Sequence, residues 1–213
     1  MRHKKFKLIV LLLLGFGLMG CQTTRTFTDS RDSKVYKTIK IGEQWWMSEN
    51  LAYAPSNGNY WAYDNNDANV ETYGYLYDWE TAKKVCPTGW HLPTDDEWKE
   101  LEMTLGMSQA EADDTGGRGT DEGSKLAGNA GLWTGGGLEN DSDFGTSGFT
   151  ALPGGCRDED GVFYSIGNSG YWWSATEDDA DYAWNRLLYY YNSYVSRDYD
   201  SEELGISVRC LRD

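Results

Sequence analysis

Pro87-Thr88-Gly89-Trp90-His91-Leu92-Pro93-Thr94-Asp95-Asp96-Glu97-Trp98 is the stretch whose reading decides the fold. Before it, Trp79, Ala82 and Cys86 recur at helical spacing. After it, Thr94 can cap a second helix, and Glu97, three residues on, can reach back to close a capping box. Trp98, Leu101 and Leu105 then share one face. The spacing predicts two short helices, at roughly 78–86 and 94–105, packing a core.

Towards the start, Arg2, Lys4, Lys5 and Lys7 precede an apolar run from Leu8 to Leu14, and Leu18-Met19-Gly20-Cys21 follows. Residues 1–20 read as a lipoprotein signal peptide, too short and wrongly flanked for a membrane span. Small Gly20 permits cleavage and Cys21 supplies the thiol for lipidation. Two acyl chains anchor a protein stably, where one is marginal. The polar residues 21–33 then read as lipidated Cys and tether, and 34–213 as one domain with room for a substantial core. Gln22, where an aspartate often signals inner-membrane retention, favours the bacterial outer membrane or cell surface.

The chain carries 19 Lys+Arg against 34 Asp+Glu, and loss of four signal-peptide cations takes the net charge from −15 to −19. Such a charge argues against nucleic acid and anionic headgroups as partners. Membrane association is expected through the N-terminal lipid anchor. After cleavage His91 is the one remaining histidine, and the cysteine spacing does not suit zinc. No metal site is expected beyond a structural calcium at Asp141 and Asp143 or at Asp158 and Asp160, with no other cofactor.

Val35, Tyr36, Ile39 and Ile41 suggest a strand that turns at Gly42-Glu43 into a second strand holding Trp45, Trp46 and Met47. Residues 106–148 are rich in glycine and acids and read as a long irregular loop, with Trp133 and Phe144 pinning it. Strand-like runs return at 149–152, 162–166, 171–174, 183–191 and 205–211, the last pairing with the N-terminal hairpin. In the adjacent pairs Trp45-Trp46 and Trp172-Trp173, strand alternation buries one ring of each. Thirteen of the twenty positions 182–201 are Tyr, Asn, Ser or Asp, a mixture that suits both an aromatic β-hairpin and a recognition surface. Candidate ligand contacts are Trp184, Tyr189, Tyr191, Tyr194 and Tyr199, with Trp61 and Trp133 as outlying ones.

Several segments together carry a resemblance: Val35 to Gly42, Trp46-Met47-Ser48-Glu49-Asn50-Leu51, Tyr73 to Tyr77, Cys86 to Trp98, Gly148 to Gly155, Trp173 to Glu177, and Ser207-Val208-Arg209-Cys210. In this order they resemble the Fibrobacter succinogenes major paralogous domain, found in exported bacterial proteins, over about residues 32–213. The helical motif is also similar to C-type-lectin-like domains of the formylglycine-generating-enzyme branch. The resemblance implies an α+β, C-type-lectin-like fold: two short helices packed on small antiparallel sheets with long loops. It also implies a disulfide between Cys86 and Cys210, because lectin-like domains staple the first helix region to the last strand.

Those enzymes hold copper with two cysteines five residues apart, whereas here Cys156 is followed five positions later by Gly161. Calcium-dependent lectins end their sugar site on Trp-Asn-Asp, whereas here Trp184-Asn185-Arg186 puts a cation at the last position. No other catalytic motif appears. The expectation is a non-catalytic domain that binds a glycan or protein ligand. The alternatives are a structural cell-envelope protein and a degenerate enzyme of the formylglycine-generating kind.

Overall fold

The computed structural model describes residues 23–213. The expected signal peptide and lipidated Cys21 lie outside them. The domain is α+β, built from two sheets, short helices and long connections.

The first sheet is antiparallel and runs Thr24–Thr28, Val35–Ile41, Gln44–Met47, Leu211–Arg212, Trp90–His91. The expected hairpin turns at Gly42, whose φ of +59° suits glycine. Leu211 sits opposite Trp46, so the last strand joins the N-terminal hairpin as expected. The tether expectation is corrected over Thr24–Thr28, which forms an edge strand in register with Val35–Ile41. β-branched threonines suit a strand, and Phe27 packs on Trp90 at 5.1 Å. Four of the five residues are exposed, so no hydrophobic alternation marked the strand in the sequence.

Both helices form where expected. Asp78 caps Trp79–Val85, its side chain accepting from the Thr81 N–H. Thr94 and Glu97 close the capping box of Asp95–Leu105. Trp98 and Leu101 on that helix enter a core with Trp46 and Phe149, and the three aromatic rings meet at 4.9–5.8 Å.

The second sheet runs Tyr60–Trp61, Leu76–Tyr77, Ile206–Ser207, Ser169–Asp179, Tyr182–Tyr189, Val195–Ser201, Gly116–Arg118. Gly154–Arg157 and Phe163–Ile166 attach through the parallel pairing of Gly155 with Gly170. The sheet is covered on both faces. Trp172 therefore enters one core and Trp173 the other, so both rings are buried where alternation alone required one. In the first sheet the alternation holds: Trp46 is buried and Trp45 half-buried.

Residues 106–148 are more regular than expected. They contain the helices Gln109–Asp113 and Glu122–Leu126, the strand Gly116–Arg118 and further short turns. Trp133 is buried, its indole N–H donating to the Gly128 carbonyl. The glycines have a local reason: a Cβ on Gly136 would lie 2.3 Å from the Tyr190 carbonyl oxygen, and one on Gly137 2.5 Å from that of Tyr191. Only glycine lets this backbone run directly beneath the tip of the 182–201 hairpin, where the Leu138 N–H donates to the Tyr190 carbonyl. The strand expected at 149–152 reduces to one bridge, Ala127 to Ala151, because Thr150 takes a positive φ of 56°.

Buried charges tie the long helix to the second sheet. Asp95 accepts from Arg186 Nη1 at 2.8 Å and from Arg197 Nη2 at 2.8 Å. Glu102 accepts from Arg186 Nε at 2.6 Å and from both Arg118 Nη atoms. Arg209 is fully buried and is met by Asn50 Oδ1 and the carbonyls of Met47, Phe149 and Thr150. Burial pushes its guanidinium down to about 9. Cys86 and Cys210 form the disulfide that the resemblance implied, and Cys156 is free and buried.

Candidate functional site: an aromatic hairpin

Tyr182–Tyr189 and Val195–Ser201 pair antiparallel, with Asn185 opposite Asp198, Ala183 opposite Asp200 and Trp184 opposite Tyr199. Successive strand residues point to opposite faces. The register therefore divides the expected contact residues between two surfaces.

One face carries Trp184 and Tyr199, which meet edge to face at 5.5 Å, and Tyr182 meets Tyr199 at 6.0 Å. The guanidinium of Arg197 lies 3.6 Å over the Trp184 ring, so one face of this indole is already covered. The patch continues the ion network, since Arg197 is also held by Asp95.

The other face carries Asn185 and Tyr189, with Asp198 and Asp200 across the register and Tyr171 on the neighbouring strand. Tyr191, in the turn, stacks on Tyr189 at 5.3 Å and 21°, and Tyr190 meets Tyr191 edge-on. Tyr191 is 55% exposed, so its outer ring face is open. Asn185 Nδ2 donates to Asp200 Oδ2 at 2.8 Å. Burial raises the Asp200 carboxyl above its ordinary value; the Asn185 hydrogen bond offsets part of this and neighbouring Asp198 adds to it. Burial likewise raises the Tyr189 phenol, with Tyr171 and Tyr191 beside it.

Among the described residues, five buried side-chain polar atoms have no hydrogen-bond partner, and three are in this hairpin: Asn185 Oδ1 and both amide atoms of Asn192. An unmet buried polar group costs about 1–3 kcal/mol, and such groups call for a reason. Asn192 follows Tyr191 in the turn, and Asn185 lies on the same strand face as Tyr189.

Three other expected contacts are elsewhere. Tyr194 packs on Gly117, where a Cβ would lie 2.3 Å from its ring. Trp61 is at the opposite end of the strand order, under Arg157 at 4.2 Å. Trp133 is buried, which corrects its reading as a surface contact. The reading of residue types could nominate the hairpin, but Asn185, Asn192, Asp198 and Asp200 needed the register to be found.

The chemistry of the remaining candidates is also set by geometry. Burial, with the charge of Asp200 behind it, pushes the Cys156 thiol up to about 11, so it is protonated at neutral pH and a poor nucleophile or copper ligand. Asp141 and Asp158 carboxylates accept from the backbone N–H groups of Asp143 and Val162, as turn-formers do. Among the described residues no three His, Cys, Asp or Glu side chains gather as metal ligands.

His91 bridges two carboxylates, Nδ1 to Asp213 at 2.6 Å and Nε2 to Glu97 at 3.0 Å. Burial lowers its imidazolium, but Asp213 and Glu97 outweigh this and the net shift is upward. A raised folded-state value stabilises below the unfolded value, near 6.5, and that contribution is lost as pH rises through the folded value. The melting-temperature gap between the native protein and His91→Gln is expected to be widest near pH 5.5 and to close by pH 8.5. A gap independent of pH would refute the charge-assisted role.

No curated protein and no solved structure shows a significant match to this chain. One family does: the Fibrobacter succinogenes major domain matches residues 39–212, from the first hairpin to the last strand. The chain thus belongs to the Fibrobacter succinogenes major domain family.

Proposed function

We propose that this chain is an exported, lipid-anchored lipoprotein of the outer membrane or cell surface whose domain binds a glycan without transforming it. The Tyr189–Tyr191 face of the hairpin is the binding surface. The carrying observation is the stacked tyrosine pair, with Tyr191 open, on the hairpin side that also holds the unmet Asn185 Oδ1, the unmet Asn192 amide and the carboxylates of Asp198 and Asp200. Sugars offer apolar ring faces and hydroxyl donors, which suit an aromatic platform edged by acceptors.

The C-type-lectin-like fold is part of this reading. Its support is the last strand beside the N-terminal hairpin, two short helices between, and the Cys86–Cys210 staple. The raised Cys156 thiol and the doubly held His91 are both poorly placed as nucleophile and base, which favours binding over catalysis.

The test is a panel of neutral, amino and acidic glycans against the purified protein, with and without EDTA. Saturable binding that falls at least tenfold in Tyr191→Ala is expected. Absence of binding across the panel would overturn the glycan reading and bring a protein partner or an envelope scaffold forward.

A further inference from the structure

Positive charge in this acidic domain is concentrated next to the expected lipidation site. Residues 23–41 hold five Lys or Arg and two acids, whereas 42–213 hold ten and 32. Of the ten cations in 42–213, all but Arg157, Arg209 and Arg212 meet a carboxylate among the described residues. Lys83 and Lys84 pair with Glu80, Lys125 with Asp121, and Lys99 with three aspartates. Arg118, Arg186 and Arg197 are spent in the buried network. Arg25, Lys34 and Lys37 have no carboxylate partner among the described residues, although Arg31 and Lys40 beside them do.

The three unpaired cations line one open cavity of 790 Å³ along the edge strand Thr24–Thr28 and the turn into Val35–Ile41. Glu49 and Glu71 are the acids on its other walls, and the Glu49 carboxylate already accepts from the Lys37 backbone N–H. Val35, an apolar side chain more than half exposed, stands between Lys34 and Lys37. Arg25 lies over Trp45 at 4.6 Å, an aromatic–cation pair of the kind that sits at membrane interfaces.

We propose that this edge of the first sheet is the membrane-facing side of the domain, with Arg25, Lys34 and Lys37 holding the headgroup phosphates of an anionic phospholipid leaflet. The inference rests on the reading that Cys21 is acylated, since an anchor there delivers the strand at Thr24 to the bilayer surface. The overall charge of −19 expected after cleavage does not prevent it. At physiological ionic strength charges are screened beyond about 8 Å, so the leaflet responds to the edge that touches it and not to the acidic remainder. The consequence is an orientation: the acidic second sheet, with the tyrosine hairpin, is turned away from the lipid.

The test uses the full acylated protein with an environment-sensitive dye on Val35→Cys, the buried Cys156 being shielded from labelling. It is reconstituted in vesicles of phosphatidylethanolamine with phosphatidylglycerol and, separately, of phosphatidylcholine. A blue shift is expected only in the anionic vesicles and is removed by high salt. A Lys or Arg near an anionic leaflet favours association about fivefold. The combined Arg25→Glu, Lys34→Glu and Lys37→Glu variant is therefore expected to lose the bilayer-facing population about a hundredfold and with it the shift. Equal emission in both vesicles, or a shift that survives the charge reversal, would overturn the proposal. Mass spectrometry of Cys21 separates the two layers: an unmodified cysteine overturns the anchored reading as well, whereas an acylated protein without the shift overturns this inference alone.

Discussion

Replacing Glu102 with alanine is expected to destabilise the domain by about 3–5 kcal/mol, because it leaves buried guanidinium charge without its carboxylate. Glu102 is fully buried and meets both Arg118 and Arg186. Arg186 keeps Asp95, but Arg118 keeps no other carboxylate and its Nε is already unpartnered. Glu102→Gln, which keeps the shape and one acceptor oxygen, is expected to cost less than alanine. Urea denaturation measures both, as a fall in the midpoint at unchanged slope. A cost below about 1 kcal/mol for alanine would show that the arginines find water instead. The prediction concerns breaking the network, not its net worth; a well-packed apolar replacement of all its members can be neutral.

The network should also outlast acid. Asp95 is raised by burial but lowered further by Arg197 and Arg186, so its carboxyl ends well below the usual range. A depressed folded value gives stability that is present above the unfolded value and lost as pH falls through the folded one. The Asp95 contribution therefore begins to decline below about pH 4, the ordinary carboxylate range.

Removing the disulfide is the second large effect. Cys86 and Cys210 are separated by 124 residues, and the chain-entropy relation gives about 5 kcal/mol for a loop of this length. The bond joins the end of the Trp79–Val85 helix to the residue just before the final strand Leu211–Arg212, next to buried Arg209. A Cys86→Ser, Cys210→Ser double variant avoids a lone buried thiol. It is expected to melt well below the native protein, as followed by calorimetry. An unchanged melting temperature would mean that the unfolded chain is already compact enough for the link to add nothing.

The sequence was most readable where the rule is local. The Thr94–Glu97 capping box and the Gly42 turn involve residues at most a few positions apart, and both formed where spacing put them. It was least readable where partners are distant. Arg186, Arg197 and Arg209 look like surface residues in a polar chain, yet each is buried because a carboxylate or carbonyl from another element meets it. Thr24–Thr28 was hidden because an exposed edge strand has little hydrophobic pattern.

The glycines of the long connection were visible only as a sign of irregularity. Their reason, room for backbone beneath the hairpin tip, lies in residues more than fifty positions away. The hairpin itself was legible from its Tyr, Asn, Ser and Asp content. Its division into a Trp184 face and a Tyr189 face was not, since a one-residue slip in register would exchange them.

The most direct measurement compares glycan affinity in Tyr189→Ala and Tyr191→Ala with that in Tyr199→Ala, each checked for an intact disulfide and native melting. At least a tenfold loss is expected in the first two and little change in the third. The reverse pattern, with affinity lost at Tyr199 and kept at Tyr189 and Tyr191, would contradict that expectation and put the ligand on the Trp184 face.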